Sequence, residues 1–229
     1  MNRTCAALLV VGGVAAAIIG GVALCSSGPA DDNKQKQLSG MVKGKTKRGG
    51  MTSTFLYKKD MPLKQRLAVI QDLTWKSVQD PRMRQLALAI TRNCPERDGT
   101  CEARAIYHAV KNRVRYTGDV GKVKQGARGI AEEVDLYQSA YRTWEFGGGD
   151  CDDNSILSAT LLTLNGIDAE FRVVAASPDP LEEDWSHIYA IANLPKGSPT
   201  RKVALDTTLP GSGNFGREPP WGKKADFVA

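Results

Sequence analysis

Histidine is scarce in this chain, and cysteine is only a little more frequent: the 229 residues include two histidines and five cysteines. A structural zinc site takes about four ligands, drawn mostly from these two residue types. Cys94 and Cys101 lie seven residues apart, but no matching pair of cysteine or histidine ligands stands elsewhere in the sequence. We therefore expect neither a metal ion nor a cofactor.

The main part of the chain also lacks a strong net charge. The formal net charge is +6, but residues 1–52 contain seven Lys and Arg against two Asp, which leaves about +1 for the remainder. The basic character therefore belongs to an N-terminal tail. A nucleic-acid-binding surface on the rest of the chain is not indicated.

Charged side chains are absent from residues 5–25, an apolar run that begins at Cys5 and ends at Cys25. Its 21 residues would form a helix of roughly 31 Å, close to the thickness of a bilayer's hydrocarbon core. We predict a single N-terminal membrane anchor and hence a membrane-anchored protein. A cleaved secretory signal remains an alternative, and so does a lipoprotein signal, although Leu24 replaces the small residue expected before its cysteine.

Large apolar groups are almost absent from residues 26–54, which are rich in Gly, Ser, Lys and Gln. This composition predicts a flexible linker. The six basic residues between Lys34 and Arg48 could bind anionic lipid head groups or nucleic acid, or could simply be solvated.

Residues 55–215 show the periodicities of a globular domain of the α+β class, with helices first and a small antiparallel sheet packed on a central helix. The predicted helices are 62–79, one that begins at Pro81, 102–115 and 151–164, and the predicted strands are 169–175, 187–193 and 202–206. Residues 118–149 suggest an extended connection. The Gly- and Pro-rich residues 216–229 suggest a loosely ordered C-terminal extension.

Cys94 and Cys101 flank a turn-rich stretch, and they could form a disulfide or remain free thiols. Cys151 has no nearby partner in the sequence, and an odd cysteine of this kind can be a reactive thiol. It is the first residue of the predicted helix 151–164, after Asp150 as N-cap. A helix N-terminus lowers the pKa of a thiol, although Asp152 and Asp153 oppose this effect, and its amides can hold an oxyanion.

His187 begins one predicted strand, and Asp206 ends the next. If these strands pair antiparallel, the start of one lies beside the end of the other, so the carboxylate can orient the imidazole. The residues alone also permit a simpler interpretation, with a buried free cysteine, a surface histidine and an aspartate in a turn.

Three short motifs resemble those of one family. GGGDCDD around Cys151, WSHIY around His187 and LDTT around Asp206 resemble the cysteine, histidine and aspartate blocks of transglutaminase-like, papain-fold proteins. The preceding AIYHAVKNRVRYTGD is similar to the segment that leads into these domains. The resemblance covers residues 100–210, and it is closest to transglutaminase-like proteins of bacteriophages and prophages.

The resemblance implies a papain-like fold with Cys151 as nucleophile, His187 as general base and acid, and Asp206 as the residue that orients the histidine. It also implies acyl transfer through a thioester, with a protein or peptidoglycan peptide as substrate and with water or an amine as acceptor. The family's second oxyanion donor is not located by the sequence, and Trp144 and Trp185 either line the cleft or pack in the core. A structural, virion-associated protein that uses the same fold without catalysis is the alternative.

Overall fold

The computed structural model describes residues 40–45, 51–58, 62–117, 122–125, 130–175, 185–211 and 213–229. The predicted membrane anchor at 5–25 lies outside these residues. Within them, no helix is both long enough and apolar enough to cross a bilayer.

Five helices are described, and four of them were predicted from their apolar spacing. They are α1 (Leu63–Val78), α2 (Pro81–Thr91), α3 (Gly99–Arg113), α4 (Ala140–Phe146) and α5 (Cys151–Leu164). Asp80 and Asp98 cap α2 and α3 by accepting backbone N–H bonds from Arg82 and Cys101. The disulfide that the sequence left open is formed between Cys94 and Cys101, and it closes the loop from α2 to α3.

Helix α5 is the centre of the fold. It packs against each of the other four helices and most extensively, among the strands, against β7 (Ala169–Ala175) and β8 (His187–Leu194). Its apolar side chains surround the helix axis, so the helix has no solvated face and is buried along most of its length. The position of its first residue is therefore fixed by the packing of the whole domain.

The described strands form three sheets. The principal sheet has the order β10-β7-β8-β9, in which β9 is Arg201–Leu205 and β10 is Lys223–Val228, and every pair in it is antiparallel. A second sheet has the order β1-β2-β5-β4, with β1 at Gly40–Lys45, β2 at Met51–Lys58, β4 at Lys122–Gln125 and β5 at Ile130–Gln138. The strands β3 (Arg115–Tyr116) and β6 (Gly148–Gly149) pair parallel. Helices packed on a small antiparallel sheet were predicted, and this mixed architecture is confirmed.

Two segments at the ends of the predicted domain contain strands that the sequence did not indicate. The segment 216–229 is not a loosely ordered extension throughout, because β10 pairs with β7 from Lys223 to Val228. The predicted linker 26–54 contains β1 and the start of β2, where Val, Thr and Phe favour a strand despite the polar composition around them. The connection 118–149 likewise contains β4, β5, α4 and β6.

Candidate active site

The glycines before Cys151 place the start of α5 against its neighbours. Gly147 ends α4 in the left-handed region, at φ 72°. Gly149 lies so close to the helix that a Cβ atom there would stand 2.6 Å from the Cβ of Asp153. Asp153 is itself buried and accepts hydrogen bonds from the backbone and side-chain amides of Gln138, at 2.7 and 2.6 Å. Only glycine allows this close approach, so the motif has a structural cause.

Cys151 begins α5, and the side chain of Asp150 caps the helix by accepting from the amides of Asp152 and Asp153. The hydroxyl of Ser155 lies 2.6 Å from the carbonyl oxygen of Cys151 and 3.1 Å from that of Ile188. It therefore bridges the first turn of α5 to the start of β8. The backbone N–H of Ile188 also donates to the sulfur of Cys151. These bonds hold the start of α5 against Ile188, the chain neighbour of His187.

The pKa of the Cys151 thiol is higher than its place at a helix N-terminus predicts. Burial raises its pKa well above the usual range, and the carboxylates of Asp152 and Asp150 raise it further. The amides of Ile188 and Asp152 lower it by less. The thiol itself donates weakly to Asp152, at 3.8 Å between Sγ and Oδ1. The expected lowering of this pKa is therefore wrong, because desolvation and two negative charges outweigh the helix terminus.

His187 and Asp206 are in direct contact, as their predicted strand positions require. Nε2 of His187 lies 2.8 Å from Oδ2 of Asp206, whose side chain is fully buried. Oδ1 of Asp206 accepts from the hydroxyl and the amide of Thr208, at 2.6 and 3.0 Å. Burial alone would raise the pKa of Asp206, but the bonds from His187 and Thr208 hold it below its usual range. An ionised Asp206 accepts from Nε2–H, so a neutral His187 keeps its lone pair on Nδ1.

Cys151 and His187 line the same cleft, which has a volume of about 210 Å³. Its apolar wall comes from α1 and β7, and Trp185 and Tyr116 also line it. The lining residues on that apolar wall are Leu63, Leu67, Ile70 and Val173. Trp185 was predicted either to line the cleft or to pack in the core, and it does both. Trp144 packs against the core and is not among the lining residues.

Sequence reasoning missed two contributions to the site, one that lines the cleft and one that supports Cys151 from behind. Side chains of α1, including Arg66, line the cleft. No sequence motif marks them, so only the packing of the folded chain reveals them. Ser155 is one turn beyond Cys151 on α5, and its spacing of four is a weak signal at best. Among the residues that the structure describes, no group of three or more His, Cys, Asp or Glu side chains could hold a metal ion.

Asp152→Asn is expected to lower the pKa of Cys151, because it removes one of the two negative charges that stabilise the protonated thiol. A shift of about one unit would move the pH midpoint of Cys151 alkylation by iodoacetamide downward by the same amount. The measurement is the alkylation rate from pH 5 to 10, read by mass spectrometry of the peptide that contains Cys151. Asp72→Asn, at an exposed pair with Lys76 on α1, is the control. An unchanged midpoint in Asp152→Asn would contradict the electrostatic explanation.

Several solved structures are similar to the chain, and two of them are described here. The first is the crystal structure of a "putative protease" from Parabacteroides distasonis ATCC 8503, at a TM-score of 0.41 and 15% identity, covering 62% of this chain and 29% of that chain. The second is a "putative cysteine protease" from Cytophaga hutchinsonii, at a TM-score of 0.41 and 14% identity, covering 76% of this chain and 63% of that chain. The chain thus spans less than two thirds of the length of either protein. No protein-family model and no curated protein matches it.

Proposed function

We propose that the protein is a cysteine-dependent acyl-transfer enzyme of the transglutaminase-like type, with Cys151 as nucleophile, His187 as general base and acid, and Asp206 as the orienting carboxylate. The observation that carries this proposal is the 2.8 Å bond between His187 and Asp206 at a cleft that Cys151 also lines. A nucleophile, a base and a third group that orients the base are the parts that covalent acyl transfer needs.

The proposed reaction assigns each of these groups one step. Nδ1 of His187 takes the thiol proton as the sulfur of Cys151 attacks the carbonyl carbon of an amide. The resulting oxyanion is held by the backbone N–H of Cys151, at the N-terminus of α5. His187 then gives the proton to the leaving amine, and a thioester remains on Cys151. Water or a second amine attacks the thioester, gives its proton to His187 and restores the thiol.

The raised pKa of Cys151 makes His187 essential in this scheme. A half-buried thiol next to two carboxylates ionises little on its own at neutral pH. Transfer of its proton to a neighbouring imidazole replaces a buried lone anion by an ion pair, in which Asp206 stabilises the imidazolium. Proton transfer of this kind contributes typically about 10²–10⁴-fold to a rate.

We infer that the substrate is a protein or peptidoglycan peptide and that residues 5–25 tether the domain to a membrane. A cleft of about 210 Å³ with an apolar wall suits one apolar residue of a peptide next to the reacting amide. The Cys94–Cys101 disulfide favours a location of the domain in an oxidising compartment, on the side of that membrane away from the cytoplasm. Anionic lipid head groups or nucleic acid are the proposed contacts of the basic residues between Lys34 and Arg48.

The second candidate is a virion-associated structural protein that uses the fold without catalysis. The raised pKa of Cys151 is the observation that favours it, because a thiol held in its protonated form is a poor nucleophile. The two candidates differ in whether His187 makes Cys151 reactive at neutral pH.

The test is the pH dependence of Cys151 alkylation by iodoacetamide in the full chain and in His187→Ala. In the wild type, we expect Cys151 to react at neutral pH, because His187 accepts its proton. His187→Ala should react only at high pH, where the thiol ionises alone, and should be about 100-fold slower at pH 7. His108→Ala is the matched control, since these are the two histidines of the chain. Equal profiles for the wild type and His187→Ala would favour the structural candidate.

A further inference from the structure

The position of Asp206 depends on a turn rather than on a strand. Strand β9 ends at Leu205, whose Cα pairs with Ala190 of β8, so Asp206 is the first residue beyond the ladder. The two bonds from Thr208 fix the carboxylate relative to residues 207–208. Both bonds are local, so they do not fix this turn relative to the rest of the domain.

Lys111, which is far from the turn in the sequence, connects the turn to α3. Its Nζ donates to the carbonyl oxygen of Thr207 at 2.8 Å and also to that of Leu209. These two carbonyls flank Thr208, the residue that holds Oδ1 of Asp206. The ammonium group is partly buried against the turn, and a charged donor makes a stronger hydrogen bond than a neutral one.

A second residue of α3 supports the same contact. Tyr107 lies one turn before Lys111, on the same face of the helix, and it is fully buried. It lies close enough to Asp206 for that carboxylate to contribute, after burial, to the raised pKa of Tyr107. One face of α3 is therefore packed behind the carboxylate, with Lys111 as its polar anchor.

From these contacts we infer that Lys111 is a positioning residue of the active site. It holds the 206–209 turn against α3, so that Asp206 keeps the ring of His187 directed at Cys151. The inference rests on the proposed function, because it assigns Lys111 an effect on the histidine and not only on stability. Lys111 is not among the residues that line the cleft, so we assign it no contact with the substrate.

The experiment compares the full-length wild type, Lys111→Met and Lys111→Arg by the ratio of Cys151 alkylation rates at pH 6 and pH 9. Methionine keeps the apolar stem and removes the donors, whereas arginine keeps donors for both carbonyls. We expect the ratio to fall about ten-fold in Lys111→Met, as for a one-unit change in a pKa, and to stay within about three-fold of the wild type in Lys111→Arg. Circular dichroism at pH 6 and at pH 9 must show each variant fully folded, because an unfolded fraction would react as a free thiol and would itself lower the ratio.

The outcomes separate this inference from the proposed function. If the pH profile of Cys151 alkylation is the same in the wild type and in His187→Ala, the proposed function is overturned. If that profile does depend on His187, but the pH 6/pH 9 ratio in Lys111→Met equals that of the wild type, only the role of Lys111 is overturned. If Lys111→Met does not fold, Lys111→Gln replaces it, since the shorter amide can reach only one carbonyl, and a partial fall in the ratio is then expected. An unchanged ratio in Lys111→Gln overturns the role of Lys111 as well.

Discussion

Asp206→Asn is expected to slow the alkylation of Cys151 at pH 7 by about 10–100-fold, the usual range for the loss of an outer partner of an active-site histidine. Both carboxylate oxygens of Asp206 accept hydrogen bonds from N–H groups, Oδ1 from the amide of Thr208 and Oδ2 from Nε2 of His187. Asparagine has one acceptor oxygen and one NH₂ group, so it can satisfy only one of these donors.

Either orientation of the new amide harms the site. If its NH₂ faces His187, then Nε2 must become the acceptor and Nδ1 carries the proton, so the ring cannot take a proton from Cys151. If its NH₂ faces Thr208, two donors meet in a fully buried position, and the turn that carries residue 206 must open. The substitution therefore tests the geometry of the carboxylate and not merely its charge.

The measurement is the alkylation rate of Cys151 at pH 7 for the wild type, Asp206→Asn and Asp98→Asn. Asp98 caps α3, where asparagine is an equivalent cap, so this matched control should behave as the wild type. Circular dichroism confirms that each variant is folded at the temperature used. A rate for Asp206→Asn within about two-fold of the wild type would refute the role assigned to Asp206 as the partner of His187.

The elements around the proposed site could be read from the sequence because their signals are local. Helix α5 spans the predicted residues 151–164, with Asp150 as its cap. Strands β7, β8 and β9 lie within one residue of their predicted bounds. Their order was then enough to predict the contact between His187 and Asp206.

What the sequence did not predict depends on contacts between distant segments. The direction of the pKa shift of Cys151 is set by burial, and that burial requires β8 to lie over the start of α5. The role of Lys111 depends on carbonyl groups 96 and 98 residues away. Helix α4 has only seven residues, too few for a clear periodicity.

Strand β10 was missed for a related reason. Its sequence KKADFV alternates between partly buried and exposed positions and follows a Gly- and Pro-rich stretch, so its composition suggested an extension. The signal that specifies it lies on β7, where Arg172 has a side chain that is 5% exposed. Arg172 makes two bonds to Asp226 of β10, at 2.6 and 2.7 Å, and one to Glu218, at 2.8 Å. The charge of Arg172 and its bonds hold the pKa of Asp226 at about 2.

Deletion of residues 217–229 is therefore expected to remove most of the stability of the domain. It exposes the edge of β7 and removes both carboxylates from Arg172, and a buried charge without its partner costs about 3–5 kcal/mol of a total of about 5–15 kcal/mol. Urea unfolding followed by circular dichroism measures the loss. Arg172→Met in the deleted chain should recover part of it, because the unpaired charge is gone while the strand is still missing. A loosely attached extension predicts the opposite result, an unfolding midpoint that does not change when these residues are removed.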